Sequence, residues 1–155
     1  MTMPSKAIPA YGTLLKRSTA DAGAATPAYV TLGEVKSISG PSTEVSTIDV
    51  TTHSSAADGN FREFIPSLID GGTIEAELNW VPGDTSHVAL WEDLNDRVKR
   101  DFQIITIPSA EATPEHAEIT FTGYVTAFPM EFPTDDVQSA TLTIKISGAV
   151  TIEVV

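Results

Sequence analysis

The chain has 155 residues, 21 acidic against 9 basic side chains for a net charge of −12, and no cysteine. A domain of this length buries about 68–70% of the surface its unfolded chain exposes, so it needs no staples to fold. The missing cysteines exclude a disulfide framework, a thiolate zinc site and a thiol nucleophile, and the negative balance repels nucleic-acid phosphates and anionic membranes. The charge is uneven, because residues 101–155 hold eight acids and Lys145 as their single base.

In chain order, residues 1–10 carry Lys6 and a short apolar patch broken by Pro9, which gives no export signal. No apolar run reaches the ~20 residues of a membrane helix. β-Branched and aromatic residues predict strands at Tyr11–Leu15, Tyr29–Ile38 and Val45–Val50, with residues 16–28 as an extended loop. Strict alternation of apolar and polar residues predicts a half-buried strand over Thr73–Trp80 and another over Thr141–Ser147. Further strands follow from composition at Phe102–Ile107, Ile119–Phe128 and Thr151–Val155, separated by punctuation such as Pro108, Pro114, Pro129 and Pro133.

One helix is predicted over Ser86–Lys99. Asp84, Thr85 and Ser86 offer N-caps, Val88, Trp91, Leu94 and Val98 recur at helical spacing, and Arg97, Lys99 and Arg100 would complement the C-terminal dipole. Many antiparallel strands with one flanking helix imply a mainly β fold, a sandwich or a partly open barrel with the helix over one opening. Residues 51–72 form a long connection without clear structure that nevertheless carries Phe61, Phe64, Ile65, Leu68 and Ile69. From apolar content alone it either folds back onto its own domain or docks on a neighbour.

Catalysis finds little support. Glu75 and Glu77 lie on one strand face, about 6.5–7 Å apart, but a glycosidase needs two carboxyls across a cleft with one kept protonated. His53, His87 and His116 are scattered without metal-ligand spacing. No Gly-x-Ser-x-Gly elbow and no phosphate-binding Gly-rich loop exists. Asp135-Asp136 is an ordinary acidic turn. No catalytic residue, cofactor or metal is therefore predicted.

The order of features is more specific than any one of them. Tyr11-Gly12-Thr13-Leu14-Leu15 is followed by Val35–Pro41, by Ile48-Asp49-Val50-Thr51-Thr52-His53, and by Arg62–Gly72. The strand to Trp80 then leads into Pro82-Gly83-Asp84, and the end reads Val125–Phe128, Asp135-Asp136 and Leu142–Gly148. Over about nine tenths of its length this chain resembles the tail tube proteins of long-tailed, non-contractile phages, which share their fold with type VI secretion tube proteins. Ser67 departs from the glycine that the family tends to carry there.

The resemblance implies a single tail tube domain over 1–155 with an N-terminal arm at 1–10. It implies a structural virion protein, assembled in the host cytoplasm into stacked hexameric rings around a channel for DNA. Its partners would be its own copies and the tail tip, tail terminator and tape measure proteins, with DNA passing unbound and no membrane involved. Residues 51–72 would be the inter-subunit loop, with Phe61, Arg62, Glu63, Phe64, Ile65, Leu68 and Ile69 at the contact, mobile until docked. Thr47 and Asp49 on one flanking strand and Thr73, Glu75, Glu77 and Asn79 on the other are the candidate channel residues. The rival expectations are a carbohydrate-active or carbohydrate-binding β-sandwich and a capsid decoration domain.

Overall fold

A computed structural model describes residues 7–54, 59–107 and 115–155. Its elements are β1 (Leu14–Asp21), β2 (Tyr29–Thr31), β3 (Val35–Ser39), β4 (Glu44–Asp49), β5 (Phe64–Asp70), β6 (Thr73–Asn79), α1 (Thr85–Asp96), β7 (Lys99–Ile105), β8 (Ala117–Ala127), β9 (Met130–Glu131), β10 (Ser139–Ile146) and β11 (Thr151–Val154). Residues 1–6 of the expected N-terminal arm lie outside the described residues.

All strand pairings are antiparallel, and the main sheet runs β2-β1-β7-β8-β10-β6-β3, with β11 on β8 and β9 on β10. Seven flat strands would span about 29 Å at ~4.8 Å per spacing. Yet β2 and β3, at the two ends of that order, are joined by Leu32, Gly33 and Glu34 alone, a link that reaches at most about 14 Å. The Leu32 amide still bonds the Leu15 carbonyl while the Glu34 carbonyl already accepts from the Asn79 amide. The sheet must therefore curl until its edges nearly meet, which makes it a partly open barrel.

The barrel is filled from alternate positions. Ile74, Ala76 and Leu78 of β6 face Ala140, Leu142 and Ile144 of β10 across the ladder, all buried. Phe102 and Phe121, register partners on β7 and β8, stack at 5.7 Å.

α1 starts at Asp84, whose Oδ1 accepts the Ser86 amide at 2.9 Å, and ends where Arg97 turns left-handed at φ 56°. Its buried side chains are His87, Leu90 and Asp93, about a quarter turn from the face expected from Val88, Trp91 and Leu94. Leu94 packs against the core, but Trp91 is 44% exposed. The cause is polar: His87 and Asp93 enter the interior because each finds fixed partners there, which an apolar count cannot register. The basic cluster is likewise not a dipole complement, since no cation lies in the last helical turn and Lys99 and Arg100 open β7.

Two segments expected to be irregular are strands. β1 continues through Lys16–Asp21, where Arg17 and Ser18 are buried. Within 51–72, residues 64–70 form β5, paired with β4 from Glu44↔Asp70 to Asp49↔Phe64. The pair is a projecting arm, a two-stranded sheet separate from the barrel, in which every residue of both strands is exposed. The register slips by one between Val45 and Thr47, next to Pro66, which has no amide to donate. Residues 55–58 of the connection lie outside the described residues.

Candidate assembly and channel surfaces

The arm is apolar on a surface its own subunit leaves open. Phe61, Leu68 and Ile69 are 75%, 81% and 68% exposed, and Val45, Ile48, Phe64 and Ile65 are about half exposed. Exposed apolar side chains gathered on one projection mark a docking surface. Past the two strands the ladder runs on, with the Val50 amide bonded to the Glu63 carbonyl at 2.9 Å and the Glu63 amide to Thr51 Oγ1 at 3.0 Å. Arg62 pairs with Asp49 and lies over the Phe64 ring at 5.4 Å. Hydrogen bonds from Thr51, then the Arg62 guanidinium, hold the Asp49 carboxyl down at about 2.

Thr73, Glu75, Glu77 and Asn79 share the outward face of β6, opposite the buried Ile74, Ala76 and Leu78. Thr47 and Asp49 stand on the arm, and the neighbours of β6 are β10 and β3, not β4. The six candidate channel residues thus occupy two sheets.

Charge around this outward face is partly compensated. Lys36 meets Glu77 at 3.0 Å and Lys145 meets Asp70 at 2.8 Å, whereas Glu75 has no ion-pair partner among the described residues. Asp70 is lowered from the ordinary carboxyl value by Lys145 and by the Gly72 amide. Of these five charges three are acidic and two basic, a local −1 against −12 for the whole chain. Asn79 Nδ2 donates to Glu34 at 3.1 Å.

A buried cluster that sequence reasoning missed clasps the helix onto the barrel. Arg17 of β1 donates to both Asp93 oxygens, at 2.5 and 2.8 Å, and Arg100 of β7 adds a bond at 3.1 Å to Asp93 Oδ1 and one at 3.0 Å to Asp21. The only sequence signal was an Asp on a helix face with arginines far away in the chain. His87 is equally structural: its Nδ1 accepts the Val81 amide at 3.2 Å, its Nε2 meets the Gly33 carbonyl at 2.9 Å, and its ring stacks on Trp80 at 5.8 Å. His116 sits by Glu118, and Asp136 caps its own turn through the Val137 amide. Among the described residues no group of metal-binding side chains is assembled.

A family model described as phage tail tube, TTP, lambda-like matches residues 18–154. The chain belongs to this tail tube family. It is accordingly a structural component of a phage-like tail and not an enzyme. No curated protein matches it by sequence. Among solved structures, the tail of an empty gene transfer agent particle, refined with C6 symmetry, superposes with a TM-score of 0.71 at 17% identity, covering 95% of this chain and 99% of that one. The cap of the anti-feeding prophage tube gives 0.71 at 15% identity, over 100% and 96%. The SPP1 tail tube gives 0.64 at 10% identity, over 93% and 78%. All three share its fold.

Proposed function

We propose that this tail tube protein forms hexameric rings that stack into the tube of a long, non-contractile tail, through which DNA is ejected. The observation that carries the reading is the arm: a two-stranded projection with apolar residues on open surface is marginal in water by itself and gains most from a neighbouring subunit. The C6 symmetry of the gene transfer agent tail supports six subunits per ring. Phe61, Arg62, Glu63, Phe64, Ile65, Leu68 and Ile69 are then the contact to the next subunit.

The outward face of β6, with Thr73, Glu75, Glu77 and Asn79, together with Thr47 and Asp49 on the arm, faces the channel. There an excess of acid over base keeps the duplex from adhering, since each phosphate neutralised by a cation would add favourable counterion release. The compensation by Lys36 and Lys145 makes this wall weakly acidic. Tail tip, terminator and tape measure proteins are the expected heterologous partners.

Negative-stain microscopy of the purified protein tests the reading. Rings or tubes with a central channel are expected. A monodisperse monomer that stays free of rings at high protein concentration and with tail tips added as nuclei would refute it.

A further inference from the structure

The arm and the wall are not two separate hairpins. β3 pairs with β6 as Ser39↔Glu75, and β4 pairs with β5 as Glu44↔Asp70. Residues 40–43 therefore face residues 71–74 one for one, with nothing inserted on either side. The two ladders are one ribbon whose rungs stop at the end of the barrel and restart in the same register.

Side chains replace the missing rungs. Ser42 Oγ accepts the Thr73 amide at 3.1 Å and donates to the Thr73 carbonyl at 3.4 Å, and Thr43 Oγ1 donates to the Gly71 carbonyl at 3.4 Å. Asp70 Oδ1 accepts both the Gly72 amide and Lys145 Nζ, each at 2.8 Å, which ties the joint to β10. The strands approach closely there: a Cβ on Gly72, at φ 76°, would run into the Ser42 carbonyl, and one on Gly40 into the Thr73 carbonyl.

We infer that this joint is a pivot that aims the arm, and that the Ser42 and Thr43 hydroxyls are its positioning groups. No main-chain rung joins the two strands of the ribbon here, so the bonds that resist bending between them are those of the two hydroxyls, while the Ile146 amide on the Gly72 carbonyl at 3.0 Å anchors the base of the joint to β10. With both hydroxyls in place the arm holds one direction relative to β6 and β10. Without them it samples a wider cone. The pivot belongs to the isolated subunit, whereas its effect on assembly rests on the ring-stacking reading above: an arm that points in many directions is captured more slowly by the next subunit.

The absence of native cysteine makes the test clean. Nitroxides on Thr47→Cys in the arm and Thr141→Cys in β10 report the arm direction by double electron–electron resonance on the full chain. The parent pair should give one narrow distance distribution. Ser42→Ala with Thr43→Ala should widen it at least twofold, while Ser46→Ala, on the arm but outside the joint, and Ser42→Thr with Thr43→Ser, which keeps both hydroxyls, should leave it narrow. Amide exchange of β6 and β10 checks that each variant is folded. Equal widths in all four proteins, or widening in either control, would overturn the pivot. Tube elongation measured in parallel should slow in the double alanine variant only. If the parent chain forms no tubes, that counts against ring stacking and leaves the spin-label result to stand or fall alone.

Discussion

Replacing Asp93 by Asn should be among the most damaging single changes in the barrel. Arg17 and Asp93 expose 9% and 3% of their side chains and share two hydrogen bonds, so the change leaves a buried guanidinium facing a neutral amide. Removing one partner of a buried ion pair costs about 3–5 kcal/mol, because the surviving charge stays desolvated. Arg17→Met should cost less, since Asp93 keeps the Arg100 bond at 3.1 Å from a side chain that is 16% exposed. Urea unfolding of the isolated subunit measures both. With a slope of roughly 2 kcal/mol per molar urea, the midpoint of Asp93→Asn should fall by about 1.5–2.5 M. A loss below about 1 kcal/mol, or a larger loss for Arg17→Met, would show that the cluster is not what fastens the helix to the barrel.

Glu75→Lys with Glu77→Lys turns the local wall balance from −1 to +3, so tails should form but eject DNA slowly, worst at low salt where screening is weakest. Normal ejection kinetics would remove these residues from the channel. Asp49, lowered from 3.8 to about 2 by Thr51 and Arg62, binds its proton less readily folded than unfolded. Its contribution is therefore full above about pH 4 and lost as the pH falls through 2, so the protection of the Val50 and Thr51 amides, taken relative to intrinsic exchange at each pH, should fall over that window, and Asp49→Asn should abolish that fall. In the isolated subunit the amides of β4 and β5 should exchange much faster than those of β6 and β10, and gain protection on tube formation. Equal protection before and after would mean that the arm contributes nothing to stacking.

What could be read in the sequence followed burial. β6 and β10 alternate because one face of each meets the core and the other meets solvent, and the helix start was legible because Asp84 caps it with its own side chain. β5 was not, for the converse reason: both of its faces are exposed, so Phe64-Ile65-Pro66-Ser67-Leu68-Ile69 shows no period of two, and Pro66 reads as a strand breaker. The burial of Arg17, His87 and Asp93 was not legible because polar residues enter a core only when partners distant in the chain meet them there, and those partners are a property of the fold. The acids and apolar residues of the candidate surfaces were legible as types. Their grouping into a wall and an arm was not, because it depends on β3 rather than β4 lying beside β6.

The central place of β10 has a consequence for synthesis. Ser139–Ile146 pairs with β6, β8 and β9, yet it is made after all of them, and Leu15 of β1 waits for Ile104, roughly 90 residues later. At about 5–20 residues per second that delay alone is roughly 4–18 s. A nascent chain therefore holds its arm sequence long before it has a barrel to carry it. Translation products that stop short of Ser139 lack the strand that joins the two halves of the sheet and should be cleared as unfolded chains. The strand order thus makes a complete barrel conditional on a complete chain.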